Sequence, residues 1–181
     1  MPNPPRTQGC TPAEIEAWLT EFGLEPVERA DRDGVTSWDL VLDGRRRTHL
    51  RVTLILDPTL ALICWTHFAP SINDSFRKSY RKLLRWNDEL PFVKFSISED
   101  ERPVLVAELA VAVLDRDAVG LALARHLAVA DRFHAETVEW LKGGGWPFAA
   151  PTASVAAGPG IGLLERYTAE LAEFADPGAP A

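Results

Sequence analysis

Four histidines (His49, His67, His126, His134) and two cysteines (Cys10, Cys64) are the first side chains in this sequence to weigh as metal ligands or nucleophiles. A zinc site wants His-x-x-x-His on one helix, or clustered Cys and His. His126 and His134 are about two helical turns apart, too far along the axis to chelate one ion. Cys64 and His67 are three apart on a strand-like run, which turns them to opposite faces. The same parity leaves Cys64 without an activating base, and no Gly-x-Ser-x-Gly elbow occurs. Carboxylate pairs exist (Asp115 and Asp117, Glu136 and Glu139), but at helix ends such pairs serve capping and solvation. Gly143-Gly144-Gly145 follows a helical pattern, and Gly158-Pro159-Gly160-Ile161-Gly162 lacks both a preceding strand and a Lys. Neither makes a phosphate loop. The expectation is no catalytic residue, no metal site and no cofactor, in a protein that is not an enzyme.

A basic run is the stronger signal. Arg77, Lys78, Arg81, Lys82 and Arg85 put five cations into nine positions, with Arg45-Arg46-Arg47 upstream. The formal charge of −7 hides this segregation. Residues 1–43 hold 3 basic and 9 acidic side chains, a net of −6; residues 44–94 hold 10 and 4, a net of +6; residues 95–181 hold 6 and 13, a net of −7. A bipolar surface of this kind solvates its own faces, steers acidic partners, or orders a homodimer. A nucleic-acid backbone is a further reading of the basic helix, opposed by the isoelectric point near 5.1 and by the absence of helix-turn-helix or RNP-type motifs. Six tryptophans add apolar anchors. Trp18, Trp38 and Trp65 fall in amphipathic elements and read as core. Trp86 adjoins Asn87-Asp88, where the Asn amide can cap backbone groups, and Trp140 and Trp146 flank the triple glycine. The candidate partner-binding set is therefore Arg77, Lys78, Arg81, Lys82, Arg85, Trp86, Trp140 and Trp146.

These residues need elements to position them. Thr11-Pro12-Ala13-Glu14 is a capping box with Pro at the first helical position, followed by a stripe of Ile15, Trp18, Leu19 and Phe22 that Gly23 stops. Strand-like runs follow at 26–30, 35–42, 50–56 and 60–68, separated by turn residues. Leu50, Val52, Leu54 and Leu56 alternate with Arg51, Thr53 and Ile55, so one face is buried and the other partly wet. Residues 75–90 switch to a helical period, with Phe76, Tyr80, Leu83, Leu84 and Asn87 on one side and the basic residues on the other. Pro91 forces the exit. Strands at 92–97 and 104–113 precede a long helix from Ala118 to about Lys142. Residues 146–160 read as an Ala, Pro and Gly-rich linker, and 162–174 regain a helical pattern. Strands that run together before helices intervene mark an α+β fold with a mainly antiparallel sheet.

The stretch from Leu84 to Ile97, LRWNDELPFVKFSI, with the strand PVLVAELAV at Pro103 to Val111 and the helix LARHLAVADRFHAETVEWL after it, resembles the YbjN family. The resemblance runs from about Ile15 to Leu141. It implies a fold like that of type III secretion chaperones, with a curved antiparallel sheet and helices on one face. It also implies a dimeric, protein-binding scaffold, and it carries no catalytic residue or cofactor.

Composition adds exclusions. At 46% hydrophobic and 25% charged, the chain is neither collagen-like nor wholly disordered. No apolar run approaches the roughly 20 residues of a bilayer span, and the first ten residues lack the apolar core of a signal peptide. Two unpaired cysteines suit a reducing compartment, with Cys64 a buried hydrophobe and Cys10 in a mobile end. The expectation is a cytoplasmic protein without a membrane partner, made of an α+β domain at 1–142 and a linker with an amphipathic helix at 143–181. It would be a non-enzymatic chaperone-like or regulatory module that binds a protein or peptide and forms a homodimer. An enzyme or small-ligand-binding protein is the alternative, and nucleic-acid binding through residues 77–85 is the third.

Overall fold

The computed structural model describes residues 9–69, 77–134 and 158–174. Its centre is a six-stranded sheet formed by β1 (Glu28–Arg32), β2 (Val35–Leu42), β3 (Leu50–Asp57), β4 (Ala61–His67), β5 (Lys94–Ile97) and β6 (Pro103–Ala110). The order across the sheet is β1-β2-β3-β4-β6-β5, and every neighbouring pair is antiparallel. The helices are α1 (Pro12–Glu21), α2 (Arg77–Glu89), α3 (Arg116–Arg132) and α4 (Ile161–Arg166). This is the α+β arrangement expected from the order of periodicities.

The period of two in β2, β3 and β4 assigns one face of the sheet to the core. Trp38, Leu40, Leu42, Leu50, Val52, Leu54, Leu56, Leu62 and Cys64 are all at most 1% exposed. They form one apolar cluster with Ile15 and Leu19 of α1 and with Val119, Leu123, Leu127 and Ala130 of α3. The other face carries Asp39, Arg51, Thr53, Ile55, Ile63, Trp65 and His67, all half-buried or exposed. Trp65 therefore belongs to the wetter face, not to the core expected for it, because strand parity sets it opposite Cys64.

Local chemistry starts the helices as the sequence predicts. The Thr11 hydroxyl accepts from the Glu14 amide, and the Glu14 carboxylate accepts from the Thr11 amide at 2.9 Å, closing the capping box. Asp115 caps α3 by accepting from the Ala118 amide at 2.8 Å. Glu16 then ties α1 to the sheet, accepting from Arg29 Nε at 2.7 Å and Trp38 Nε1 at 3.1 Å. Cys10 is 1% exposed and joins the core, so it does not lie in a mobile end.

Beyond α3, the chain re-enters the core. The Asp43 amide donates to the Pro159 carbonyl at 2.5 Å, and Gly160 takes a left-handed φ of 111°. A Cβ there would stand 2.8 Å from the Asp43 carbonyl oxygen and from Leu127, so glycine lets the backbone pass. Leu163, Leu164, Tyr167, Leu171 and Phe174 are each at most 9% exposed and pack in the same cluster as α3. The expected helix over 162–174 is shorter than its pattern implied: α4 ends at Arg166, and a 3-10 turn follows at Ala172–Phe174. Val111–Val113 is likewise a 3-10 turn and not the end of β6, and α3 stops at Arg132, with 135–142 outside the described residues.

Candidate partner-binding surface

Helix α2 is fixed by an aromatic cluster on its inner side. Leu83, Trp86 and Leu90 recur at helical spacing and are at most 4% exposed. Trp86 stacks on Phe133 with centroids 4.0 Å apart and leans on Phe95 at 5.6 Å, while Phe68 meets Phe95 edge-on at 4.8 Å. Trp86, expected to touch a partner, is thus the core anchor of α2.

The turn out of α2 explains the Asn-Asp-Glu-Leu-Pro-Phe-Val-Lys-Phe segment. The Asn87 side chain reaches across to strand β5: its Nδ2 donates to the Phe95 carbonyl at 2.9 Å, and its Oδ1 accepts from the Phe95 amide at 2.6 Å. One amide therefore supplies both bonds that a seventh strand would have offered Phe95. Lys94 completes the joint, with Nζ donating to the Asn87 and Leu90 carbonyls at 2.6 and 2.5 Å. A cation on the last carbonyls of a helix favours its dipole. The far edge, β1, is shielded differently, by charged side chains paired between Arg29, Glu16 and Asp31.

The outward side of α2 is left basic. Arg81 and Arg85 are exposed, and among the described residues neither meets an acidic side chain. Between them stands Leu84, 68% exposed. The sequence pattern grouped both Leu83 and Leu84 with the apolar stripe; packing took only Leu83, because tandem leucines lie about 100° apart and only one can face the core. Lys82 is half-buried, its Nζ 5.3 Å above the Trp86 ring. Arg77 and Lys78 open α2, but their side chains lie outside the described part, as do Trp140 and Trp146. Phe92, also missed as a surface feature, has a φ of 63°, is 62% exposed and stacks beneath Arg125 at 3.9 Å.

The remaining candidate groups are dispersed. His49 is exposed beside Asp43 at 4.0 Å. His67 lies edge-on to Trp65 on the open sheet face, and burial lowers its pKa. His126 is buried within α3, with Nδ1 against the Ala122 carbonyl at 2.9 Å, and burial holds its pKa below the ordinary value. His134 is half-buried, its pKa lowered by burial and then by Arg47. Burial pushes the Cys64 thiol up to about 12, which leaves it protonated and inert at neutral pH. Among the described residues, no three His, Cys, Asp or Glu side chains converge as metal ligands, and no helix is long and apolar enough to cross a membrane.

A family model named YbjN, described as a putative bacterial sensory transduction regulator, matches residues 11–138. The match includes α1 through α3 and ends before the segment at 158–174. No curated protein matches the chain.

Proposed function

The chain belongs to the YbjN family, and from that premise we propose that it is a regulatory protein whose α2 binds an acidic, partly apolar segment of another polypeptide. The observation that carries the reading is the outward face of α2: two guanidiniums, Arg81 and Arg85, without acidic partners among the described residues, flank a leucine that is 68% exposed. An exposed apolar side chain between two uncompensated cations suits an amphipathic acidic helix, which offers carboxylates and a hydrophobic anchor at matching spacing. The aromatic cluster beneath anchors α2 through Trp86, which lowers the ordering cost on this side of the contact. Asn87 blocks strand addition at β5, which favours a side-chain contact with the helix over β-augmentation. A second copy of the chain is one source of such acid, since residues 95–181 carry a net of −7.

Fluorescence anisotropy with a labelled acidic amphipathic peptide tests the reading against a labelled single-stranded oligonucleotide. Binding of the peptide that weakens at least tenfold in the Arg81→Glu, Arg85→Glu double variant supports it. Reversing two exposed contacts changes two attractions of up to about 1 kcal/mol each into repulsions, and 1.4 kcal/mol is tenfold. Preferential binding of the oligonucleotide, or a double variant that binds the peptide like wild type, contradicts it.

A further inference from the structure

An opening lies where the loop before β3, the C-terminal half of α3 and the returning segment meet. It is a cavity of about 410 Å³, within the range of small-molecule sites. Arg45, Arg46 and Arg132 line it together with Leu164, Leu171 and Phe174, and Thr168 is also in the wall. Apart from Ala128 of α3, the apolar lining comes from residues 158–174, outside the family match.

Charge bookkeeping in the cavity is unusual. Asp131 also lines it, but its carboxylate is engaged: Oδ2 accepts from the Arg45 amide at 2.6 Å, and Oδ1 from the Arg46 and Arg47 amides at 2.8 and 2.9 Å. Three backbone donors on one carboxylate fix the loop and occupy its oxygens, although its negative charge remains. Arg132 shares its charge with Glu89 at 3.1 Å. Arg45 has no acidic side chain against its guanidinium among the described residues. The cavity therefore combines arginine side chains with an apolar lining.

We propose that this cavity binds a small amphipathic anion, a monocarboxylate carrying an alkyl tail, with the carboxylate at Arg45 and the tail against Leu164, Leu171 and Phe174. Such a ligand would bridge the family core and the returning segment, so its binding would clamp residues 158–174 onto α3. A protein in a regulator family would then have an input distinct from the α2 surface. The inference stands independently of the polypeptide reading.

Isothermal titration calorimetry on the full chain, with sodium decanoate below micellar concentrations, tests it. Decyltrimethylammonium serves as the charge-reversed probe and acetate as the tail-less one. The expected result is saturable one-site binding of decanoate, at least tenfold tighter than either control. Arg45→Glu should weaken it at least tenfold, and Thr168→Trp should do the same by filling the space. Arg45 is at the surface, so its variant keeps the fold readable should Thr168→Trp fail to fold. No heat with decanoate, equal binding of the cationic probe, or unchanged binding in Arg45→Glu would each overturn the proposal.

Discussion

Replacing Asn87 by Ala removes one side chain and two hydrogen bonds, both to the backbone of Phe95. Each neutral bond contributes roughly 1 kcal/mol net, and leaving a donor and acceptor unsatisfied costs more where water cannot reach. Phe95 is 6% exposed, yet β5 is an edge strand whose outer side water can partly wet once the amide is gone. The expected loss is therefore about 2 kcal/mol, near the sum of the two bonds and below the full burial penalty. Urea unfolding reads this as a midpoint lower by roughly 1 M at unchanged slope, for a slope near 2 kcal/mol/M. Amide exchange gives a second, local reading: the Phe95 N–H should exchange at least tenfold faster in the variant. The freed edge should also raise the apparent mass with concentration, since an unpaired strand edge recruits other strands. A midpoint shift below about 0.2 M, with Phe95 exchange unchanged, would refute the idea that this amide closes the sheet edge.

Ending the chain after residue 157 strips five core side chains from α3, so apolar-dye fluorescence should rise and the unfolding midpoint fall; dye binding equal to wild type would contradict the packing of this segment. Gly120→Ala should cost roughly 1–3 kcal/mol, because a Cβ would lie 2.5 Å from Phe22 Cζ and from the Tyr167 hydroxyl, which itself donates to Asp117 at 3.1 Å; thermal melts check this. Stability should also fall on acidification below pH 6.5. His126 has a folded pKa below its unfolded value near 6.5, so its contribution is complete above that pH and is lost as the unfolded chain takes up the proton. Unfolding midpoints at pH 7.5 and pH 5 should differ less in His126→Leu than in wild type, and equal differences would exclude His126 as a source of the slope.

What the sequence disclosed was governed by range. The capping box at Thr11 and Glu14 lies within one turn and is fully written in four residues. Alternation in Leu50 to Leu56 named the buried face of β3 because strand parity is a local property. Asn87 was legible as a cap, but its partner is eight residues on, across a turn whose geometry only the folded chain defines. Trp65 and Leu84 were misplaced for one reason: an apolar residue in an amphipathic element goes to whichever face its neighbours leave open. Apolar runs such as Leu60 to Phe68 and tandem leucines such as Leu83-Leu84 do not declare that face. The cavity had no sequence signal at all: Arg45 and Asp131 meet across 86 residues of sequence, and Thr168 joins them only by the return of residues 158–174.

The central claim is that the outer face of α2 recognises an acidic polypeptide. Affinity purification from native lysate should compare wild type with the triple variant Arg81→Glu, Leu84→Ser, Arg85→Glu, both after nuclease treatment and quantified by mass spectrometry. The account predicts a discrete polypeptide, carrying an acidic amphipathic segment, that wild type retains and the variant loses at least tenfold. Identical sets on both baits, or wild-type enrichment that nuclease removes, would contradict it.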